Sequence, residues 1–244
     1  MNKIVLVTGA SKGIGKSIAE TFVQAGGYDV YLVARDEQLL SSVCDEIGAN
    51  GYFAFDLSKV DDCKNLMDVF YTKVGKIDIL VNNAGAYVYS PVETTNYEDF
   101  VNIIDLNIKA PYILTQNVVK SMKLSNWGRI INIGSISGVV GEANASLYSM
   151  SKSALIGFTK ALALELAQNN ITVNTIHPGW VETDLANDAV QNSDFSYEEE
   201  LEMIPQRRFI KPVEIAELVL YIASEKAKGL TGQNINLCAG LSVG

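Results

Sequence analysis

The sequence predicts an α/β protein: a single doubly wound domain with a seven-stranded, mainly parallel sheet and helices on both faces. Two observations support this prediction. Short, β-branched apolar runs alternate with longer amphipathic stretches along the chain, which is typical of a parallel sheet with helical crossovers. No Pro/Ser-rich linker and no change in composition divides the 244 residues, so we expect one catalytic domain across residues 1–244.

Each strand is predicted from a short apolar run, and each helix from amphipathic periodicity. The candidate strands are Ile4–Val7, Val30–Val33, Tyr52–Phe55, Ile79–Val81, Ile130–Ile133, Thr172–Ile176 and Ile235–Leu237. The candidate helices are Ile14–Ala25, Glu37–Ile47, Val60–Val74, Tyr97–Met122, Leu147–Gln168 and Pro212–Ala223. One segment, Asp184–Arg208, has no convincing strand and is long for a connection. We interpret it as a substrate lid or as a solvated helical insertion, which are compatible.

Composition restricts the partners of the chain. Its net charge of −9 disfavours nucleic acid and anionic membranes as partners. No apolar run approaches the roughly 20 residues of a membrane span, and Ile4–Val7 is too short for the core of a signal peptide. We therefore expect a cytoplasmic location. Cys44, Cys63 and Cys238 lie far apart without companion histidines, so we expect neither a disulfide framework nor a metal site.

A glycine-rich turn follows the first predicted strand and leads into a helix. It reads Thr8-Gly9-Ala10-Ser11-Lys12-Gly13-Ile14-Gly15. Glycines let the backbone turn tightly and approach a pyrophosphate, and the helix N-terminus offers free N–H groups. The spacing differs from the usual Gly-x-Gly-x-x-Gly fingerprint, but the strand before it and the helix after it provide the required context. The turn predicts a Rossmann-type dinucleotide site.

The residue that closes the second strand selects between the two dinucleotides. An acid about 20 residues past the glycines would bind the ribose 2′-hydroxyl of NAD, whereas an arginine accommodates a 2′-phosphate. This chain has Ala34-Arg35, with Asp36 only beyond it. We therefore expect NADP(H) rather than NAD(H), bound by Arg35 with help from Lys12.

A tyrosine and a lysine, Tyr148 and Lys152, lie one turn apart on the same face of a predicted helix. A free tyrosine has a pKa of about 10 and is a poor proton donor or base near neutral pH. A nearby lysine ammonium favours the phenolate and lowers that pKa. The pair predicts a proton-transfer site, although the same spacing also occurs by chance in many helices.

Several motifs together resemble those of the short-chain dehydrogenase/reductase family. They are Thr8-Gly9-x-x-x-Gly13-x-Gly15, Asn82-Asn83-Ala84-Gly85, Ser135, Tyr148-x-x-x-Lys152 and Pro178-Gly179-x-Val181-x-Thr183. The resemblance covers essentially the whole chain, in order and with ordinary spacing. Within the family the chain looks most like 3-oxoacyl-[acyl-carrier-protein] reductases and polyketide ketoreductases, chiefly through the stretches 128–133 and 232–241.

The resemblance implies four catalytic residues. Asn107 would bend its helix and hold a water near the lysine, and Ser135 would bind the substrate oxygen. Tyr148 would be the acid or base, while Lys152 would bind the nicotinamide ribose and lower the pKa of the tyrosine. Ser137 lies close to Ser135, but the spacing to Tyr148 favours Ser135.

The resemblance also implies the cofactor contacts. Asp56, with Leu57 beside it, would hydrogen-bond the adenine, and residues 83–85 would line the adenine-ribose side. Val181 and Thr183 would hold the nicotinamide carboxamide. The full set implied in cofactor binding is Thr8, Gly9, Ser11, Lys12, Gly13, Ile14, Gly15, Arg35, Asp56, Leu57, Asn83, Ala84, Gly85, Tyr148, Lys152, Pro178, Gly179, Val181 and Thr183.

The resemblance implies an NADP(H)-dependent reductase that converts a carbonyl, above all that of a 3-oxoacyl thioester, to a secondary alcohol. Asn126 and Asn169 stand where carrier-protein reductases have arginines, and the net charge of −9 repels an acidic carrier. A CoA thioester, a small free ketone, a steroid or a polyol alcohol therefore stays open. The alternative outside the enzymes is a non-catalytic module that senses a dinucleotide. The presence of all four catalytic candidates argues against it.

The family resemblance implies a homotetramer in which Tyr97–Met122 and Leu147–Gln168 pair across subunits. The only histidine, His177, precedes Pro178-Gly179, so we interpret it as structural. Tyr87, Tyr89 and Trp180 either line the substrate pocket or belong to ordinary packing, and the sequence does not decide between these interpretations.

Overall fold

One sheet of seven parallel strands organises the chain. The computed structural model describes residues 2–186 and 196–243. Within them the strands are β1 (Lys3–Thr8), β2 (Tyr28–Ala34), β3 (Gly51–Ala54), β4 (Ile79–Asn82), β5 (Gly128–Ile133), β6 (Ile171–Pro178) and β7 (Asn234–Leu237). Their order is β3-β2-β1-β4-β5-β6-β7, and every neighbouring pair is parallel. All seven predicted strands are confirmed.

Helices connect the strands, and the six predicted helical segments are present. The helices of the described residues are α1 (Gly13–Ala25), α2 (Glu37–Ile47), α3 (Val60–Lys73), α4 (Tyr97–Ile104), α5 (Ala110–Ser125), α6 (Ser137–Val140), α7 (Ser146–Leu166), α8 (Tyr197–Met203) and α9 (Pro212–Ala223). The predicted helix Tyr97–Met122 is wrong in one respect. A π-helical turn, Asp105–Lys109, separates α4 from α5.

The two faces of the sheet are covered by different helices. Along β1, Val5 and Val7 belong to the same apolar cluster as Phe22 of α1, whereas Leu6 belongs to a second cluster with Phe70 of α3. Successive side chains of a strand point to opposite faces, so this separation means that both faces are buried. The first cluster also contains residues of α2 and α9, and the second contains residues of α5 and α7.

The strand order reverses between β1 and β4. After β1 the chain adds β2 and β3 on one side, and after β3 it returns to place β4 on the other side of β1. The loops that follow β1 and β4 therefore leave in opposite directions and open a crevice at the carboxyl edge of the sheet. Ligands of open parallel sheets bind in such a crevice.

The segment Asp184–Arg208 is described only in part, because residues 187–195 lie outside the described residues. Its described portion includes α8, which begins at a capping box formed by Ser196 and Glu199. Phe209, just beyond the segment, packs between the rings of Trp180 and Tyr197. Beyond this segment, Ile210 forms a parallel bridge with Val181. The helical insertion is thus present, and its action as a lid stays a prediction.

Several large apolar side chains are exposed on α4, α5 and α7. Tyr97 and Tyr112 expose 79% and 54% of their surface, and Leu164 exposes 85%. These helices therefore present apolar surface outwards as well as towards the core. In the described part of the chain, every helix is too short or too polar to cross a membrane.

Candidate active site

The four predicted catalytic residues meet at the carboxyl edge of β4 and β5. Asn107 lies in the π-helical turn, Ser135 follows β5, and Tyr148 and Lys152 lie in the first two turns of α7. Ser135 and Tyr148 line a cavity of about 560 Å³. The rest of its wall is mainly apolar and aromatic, with contributions from Tyr87 and from the segment after β6. A cavity of this size and character suits a small organic substrate.

Lys152 is buried, with 4% of its surface exposed. Its Nζ donates a hydrogen bond to the carbonyl oxygen of Ile133, at 2.9 Å, at the end of β5. A Cβ atom at Gly85 would lie 3.3 Å from the same Nζ, so the glycine leaves room for the ammonium. Burial lowers the pKa of Lys152 to about 8.

Asn107 connects the π-helical turn to the loop after β4 and to α7. Its side-chain amide donates to the carbonyl oxygen of Ala86 at 2.9 Å and to the hydroxyl of Ser151 at 3.0 Å. Its Oδ1 accepts a hydrogen bond from the backbone N–H of Ala86 at 2.9 Å. The helix changes geometry at this residue, as the resemblance implies. The water that Asn107 would hold stays a prediction.

The ring of Tyr148 packs edge-on against the ring of Tyr87, with 4.9 Å between centroids. Burial raises the pKa of Tyr148, a hydrogen bond with the Ser135 side chain lowers it and the negative charge of Glu142 raises it, so that the net pKa is about 12. The net pKa of Tyr148 is raised, and the lowering by Lys152 that the sequence predicts stays a prediction. The Lys152 ammonium lies 5.7 Å from the Tyr148 ring centroid.

Hydroxyl groups and one carboxylate form a chain beside Tyr148. Ser135 Oγ donates to Ser137 Oγ at 3.0 Å, and Ser137 Oγ donates to Glu142 Oε2 at 2.6 Å. The other carboxylate oxygen of Glu142 accepts from the Tyr87 hydroxyl, also at 2.6 Å. The backbone N–H of Ser137 donates to Ser135 Oγ at 3.2 Å. These contacts fix the Ser135 hydroxyl at the wall of the cavity.

His177 lies beneath Ser135 and is fully buried. Its Nδ1 is 3.0 Å from the backbone carbonyl oxygen of Ser135, and its Nε2 is 3.2 Å from Oδ1 of Asn234. Burial lowers the pKa of His177. With both ring nitrogens occupied and no access to the cavity, His177 supports the backbone at Ser135, which agrees with its structural interpretation.

The glycine-rich turn has the shape that a pyrophosphate site requires. Gly9 and Gly13 adopt positive φ angles of 63° and 54°, a conformation that favours glycine. A Cβ atom at Gly15 would lie 2.2 Å from the carbonyl oxygen of Gly9, so only glycine fits there. The first turn of α1 has no side-chain cap and no acidic residue, which leaves its N–H groups available to an anion. Ser11 lies half-buried in this turn.

Thr8 and Asn83 join the glycine turn to the loop after β4. Thr8 Oγ1 accepts hydrogen bonds from the backbone N–H groups of Asn83 and Ala84, both at 3.0 Å. The Asn83 side chain donates to the carbonyl oxygens of Thr8 and Gly9 at 2.9 and 3.2 Å. Both side chains are therefore occupied within the protein, and residues 83–85 offer a ligand mainly their backbone.

The residues expected at the adenine end lie beyond β2 and β3. Arg35 is exposed just after β2. The Asp56 carboxylate accepts two hydrogen bonds from Ser58, from its backbone N–H at 3.1 Å and from its hydroxyl at 2.7 Å. Burial raises the pKa of Asp56, but these bonds and the charges of Arg35 and Lys59 outweigh it and lower the pKa overall. The Leu57 side chain is buried in the core, so only the backbone of this residue is available to a ligand at the carboxyl edge of the sheet.

Lys12 and the segment after β6 complete the rim of the crevice. Lys12 Nζ lies 3.3 Å from Asp184 in an exposed ion pair, so it is engaged with the predicted lid segment. Thr183 packs over the glycine turn, because a Cβ atom at Gly13 would lie 3.2 Å from its Cγ2. The predicted cofactor-binding residues of this region that line the catalytic cavity are Ile14, Pro178, Gly179, Val181 and Thr183, and Trp180, Leu185 and Ala186 line it as well.

Three residues of the site have no signal in the sequence motifs. Glu142 lies in the loop between α6 and α7, Ser151 links Asn107 to α7, and Glu200 of α8 lines the cavity. Ser151 Oγ donates to the carbonyl oxygen of Tyr148 at 2.7 Å. Burial raises the pKa of Glu200. These positions depend on contacts between segments far apart in the chain, which a local pattern does not reveal.

Known proteins resemble this chain over nearly its whole length. The model of the family described as short chain dehydrogenase matches residues 3–194. An uncharacterized oxidoreductase of Bacillus subtilis, YxjF, is 36% identical over 251 residues, which are 98% of this chain and 97% of YxjF. The 3-oxoacyl-[acyl-carrier-protein] reductase FabG of Aquifex aeolicus is 36% identical over 245 residues, which are 98% of this chain and 97% of FabG.

Two solved structures share the fold. An actinorhodin polyketide ketoreductase with NADPH has a TM-score of 0.94 and 33% identity, and the match covers 98% of this chain and 97% of the ketoreductase chain. YwfH, an NADPH dependent reductase involved in bacilysin biosynthesis, has a TM-score of 0.94 and 28% identity, with both chains fully covered. The fold, the matched family model and the relatives agree, and the chain belongs to the short-chain dehydrogenase family of oxidoreductases.

Proposed function

We propose that this protein is an NADP(H)-dependent reductase that converts the carbonyl of a 3-oxoacyl thioester to a secondary alcohol. The observation that carries the proposal is that Ser135 and Tyr148 line one cavity together with Ile14 of the glycine turn, while Lys152 lies buried one turn beyond Tyr148 and bonds to the end of β5. The relatives support the substrate class, since FabG of Aquifex aeolicus is a 3-oxoacyl-[acyl-carrier-protein] reductase. The cofactor is supported by the two solved relatives, since one is a complex with NADPH and the other is an NADPH dependent reductase.

The crevice fits a phosphorylated dinucleotide. The N–H groups at the start of α1 would hold the pyrophosphate, because they have no side-chain cap. Arg35 would bind the 2′-phosphate, since its guanidinium is exposed at the end of β2. Lys152 would bind the nicotinamide ribose, and Val181 and Thr183 would hold the carboxamide. When bound, NADPH supplies the hydride.

The residues of the protein supply the proton. Tyr148 is a phenol at neutral pH, as a tyrosine with the ordinary pKa of about 10 also is, and its raised pKa of about 12 keeps it so; a phenol is the form that donates. Its proton would pass to the carbonyl oxygen of the substrate, which gains negative charge during the reduction. Ser135 binds the same oxygen, and Lys152, charged below a pKa of about 8, stabilises the phenolate that remains.

A small free ketone is the second candidate substrate. The net charge of −9 opposes the approach of an acidic carrier protein. Asn126, which stands where carrier-protein reductases have an arginine, is the left-handed C-cap of α5 with φ 49°, a conformation that asparagine tolerates better than arginine does. The carboxylates of Glu142 and Glu200 also make the cavity wall acidic.

Access to the cavity would be controlled by the segment Asp184–Arg208, acting as a lid on a single catalytic domain. Glu200 and Met203 of α8 line the cavity, and Lys12 on the glycine turn pairs with Asp184. The segment thus contacts both the cofactor crevice and the substrate cavity, which is the arrangement that a closing lid needs.

The assembly we propose is a homotetramer that pairs α4, α5 and α7 across subunits. The exposed Tyr97, Tyr112 and Leu164 support it.

The mass of the protein in solution tests this assembly, and we expect light scattering to give four times the mass of one chain. Leu164→Glu should reduce that mass, because it would bury a charge in the interface between subunits. Val92→Glu is the control, since Val92 exposes 75% of its surface and lies outside α4, α5 and α7, and it should leave the mass unchanged. A monomeric wild-type protein would contradict the assembly.

Replacing the proton donor tests the chemistry. NADPH oxidation is followed with a panel of 3-oxoacyl-CoA thioesters and small ketones. We expect Tyr148→Phe to lower kcat by about 10²- to 10⁴-fold, the usual contribution of a general acid, while the Kd of NADPH changes less than about twofold. Tyr71→Phe removes a half-buried hydroxyl that donates to the carbonyl oxygen of Asn117, away from the cavity, and should keep full activity. An unchanged kcat in Tyr148→Phe would refute the role of this residue.

The choice of cofactor depends on one exposed cation. We expect Arg35→Ala to raise the KM of NADPH by about 10- to 100-fold, because charge-assisted hydrogen bonds contribute about 1.5–3 kcal/mol. The KM of NADH should change little. Lys64→Ala is the matched control, since it removes an exposed cation of α3. A wild-type KM that is lower for NADH than for NADPH would exclude the NADP(H) assignment.

A further inference from the structure

Two carboxylates from different elements line the catalytic cavity. Glu142 lies in the loop before α7 and Glu200 lies on α8, and both share the cavity wall with Ser135 and Tyr148. No lysine, arginine or histidine of residues 2–186 and 196–243 lines the cavity. Its ordinarily charged side chains are therefore all acidic, although most of the wall is apolar.

Glu200 is the more unusual of the two carboxylates. It exposes 6% of its surface, and a glutamate is rarely buried to this extent unless it is paired. Within the described part of the chain, no cationic side chain forms an ion pair with Glu200. Burial raises the pKa of Glu200, the Trp180 side chain lowers it and the charge of Glu142 raises it. A positive charge inside the cavity would supply the absent partner.

Glu142 keeps lone pairs available to a ligand. Its two carboxylate oxygens each accept one hydroxyl, Oε1 from Tyr87 and Oε2 from Ser137, both at 2.6 Å. An ionised carboxylate has about four lone-pair positions, so each oxygen can accept a further contact. The ion pairs of the described residues do not include Glu142 either. The two hydroxyl groups thus hold its carboxylate in place without neutralising its charge.

Aromatic rings supply the second component of a cation site. Tyr87, Tyr89, Tyr148 and Trp180 line the same cavity as the two carboxylates. The ring of Tyr87 packs edge-on against that of Tyr148, with 4.9 Å between centroids, while its hydroxyl bonds to Glu142. The faces of aromatic rings attract alkylammonium groups, and the attraction is strongest where water is excluded. Carboxylates and aromatic rings in one small cavity therefore favour an alkylammonium group.

We propose that Glu142 and Glu200 are specificity-determining residues that select a carbonyl substrate carrying an alkylammonium group and exclude one that carries a carboxylate. The inference rests on the proposed function, because it takes Ser135 and Tyr148 to bind the carbonyl oxygen. It concerns the group on the far side of that carbonyl, so it applies to a thioester and to a free ketone alike. Glu142 is two hydrogen bonds away from Ser135, through Ser137, so a few methylene groups would separate the carbonyl from the ammonium.

Three methyl ketones test the selection by charge at nearly constant shape. They share the chain CH3–CO–(CH2)3 and end in a trimethylammonium, a tert-butyl or a carboxylate group. We expect kcat/KM with NADPH to be about tenfold higher for the trimethylammonium ketone than for the tert-butyl ketone, because carboxylates and rings contact the cation. The carboxylate ketone should be at least about tenfold poorer than the tert-butyl ketone, because it brings a like charge to the cavity.

Variants of the two glutamates connect this preference to the cavity wall. Glu200→Gln and Glu142→Gln should each lower the ratio of kcat/KM between the trimethylammonium and tert-butyl ketones by about three- to tenfold. A general loss of activity cancels in this ratio, because it compares two substrates on one protein. Glu200→Asp keeps the charge and should keep the preference. Glu202→Gln is the matched control, since it removes an exposed charge from the same helix, and it should leave the ratio unchanged.

Two results would overturn the proposal. One is a wild-type protein that reduces the tert-butyl ketone as well as the trimethylammonium ketone. The other is a preference for the trimethylammonium ketone that stays the same in both glutamine variants, since the carboxylates would then not be its cause.

Calorimetry without turnover keeps this inference separate from the proposed function. The trimethylammonium and tert-butyl ketones are titrated into the wild type and into Glu200→Gln. We expect the wild type to bind the trimethylammonium ketone about tenfold more tightly and Glu200→Gln to lose most of that difference. If the wild type reduces neither these ketones nor any 3-oxoacyl-CoA thioester, the proposed function fails, and the Kd values alone decide the present inference. Equal Kd values for the two ketones in the wild type contradict it.

Discussion

The rest of the site depends on the hydrogen bond between the Lys152 ammonium and the carbonyl oxygen of Ile133, at 2.9 Å. A buried charge is costly unless it has a partner, so this contact fixes α7 against the end of β5. Tyr148 lies one turn before Lys152, and Ser135 lies just beyond Ile133. One contact between a helix and a strand therefore sets the distance between the proton donor and the group that binds the substrate oxygen.

Burial acts on the two titrating groups in opposite directions. It raises the pKa of Tyr148 to about 12 and lowers that of Lys152 to about 8, because a low dielectric disfavours both charged forms. The tyrosine keeps its proton at any pH below its pKa of about 12. At neutral pH the lysine also keeps its charge, so the site combines a neutral acid with a nearby cation. That combination favours donation of a proton followed by stabilisation of the phenolate.

The sequence predicted those features that local patterns encode. The strands follow from β-branched runs, the glycine turn from its context between a strand and a helix, and the pairing of Tyr148 with Lys152 from helical spacing. The sequence did not reveal that the Asn83 side chain is used within the protein, because that depends on Thr8 and Gly9, which lie far away in the chain. It also missed Glu142, whose contact with Tyr87 joins two separate loops.

The most direct test of this account is the activity of Lys152→Met, measured together with thermal unfolding. Methionine has a similar length but neither a charge nor a proton to donate. We predict a folded protein whose kcat for NADPH-dependent reduction falls at least about a hundredfold, within the range of general acid catalysis, with weaker NADPH binding. A Lys152→Met protein that keeps the wild-type kcat and the wild-type Kd of NADPH would contradict the central role of this lysine.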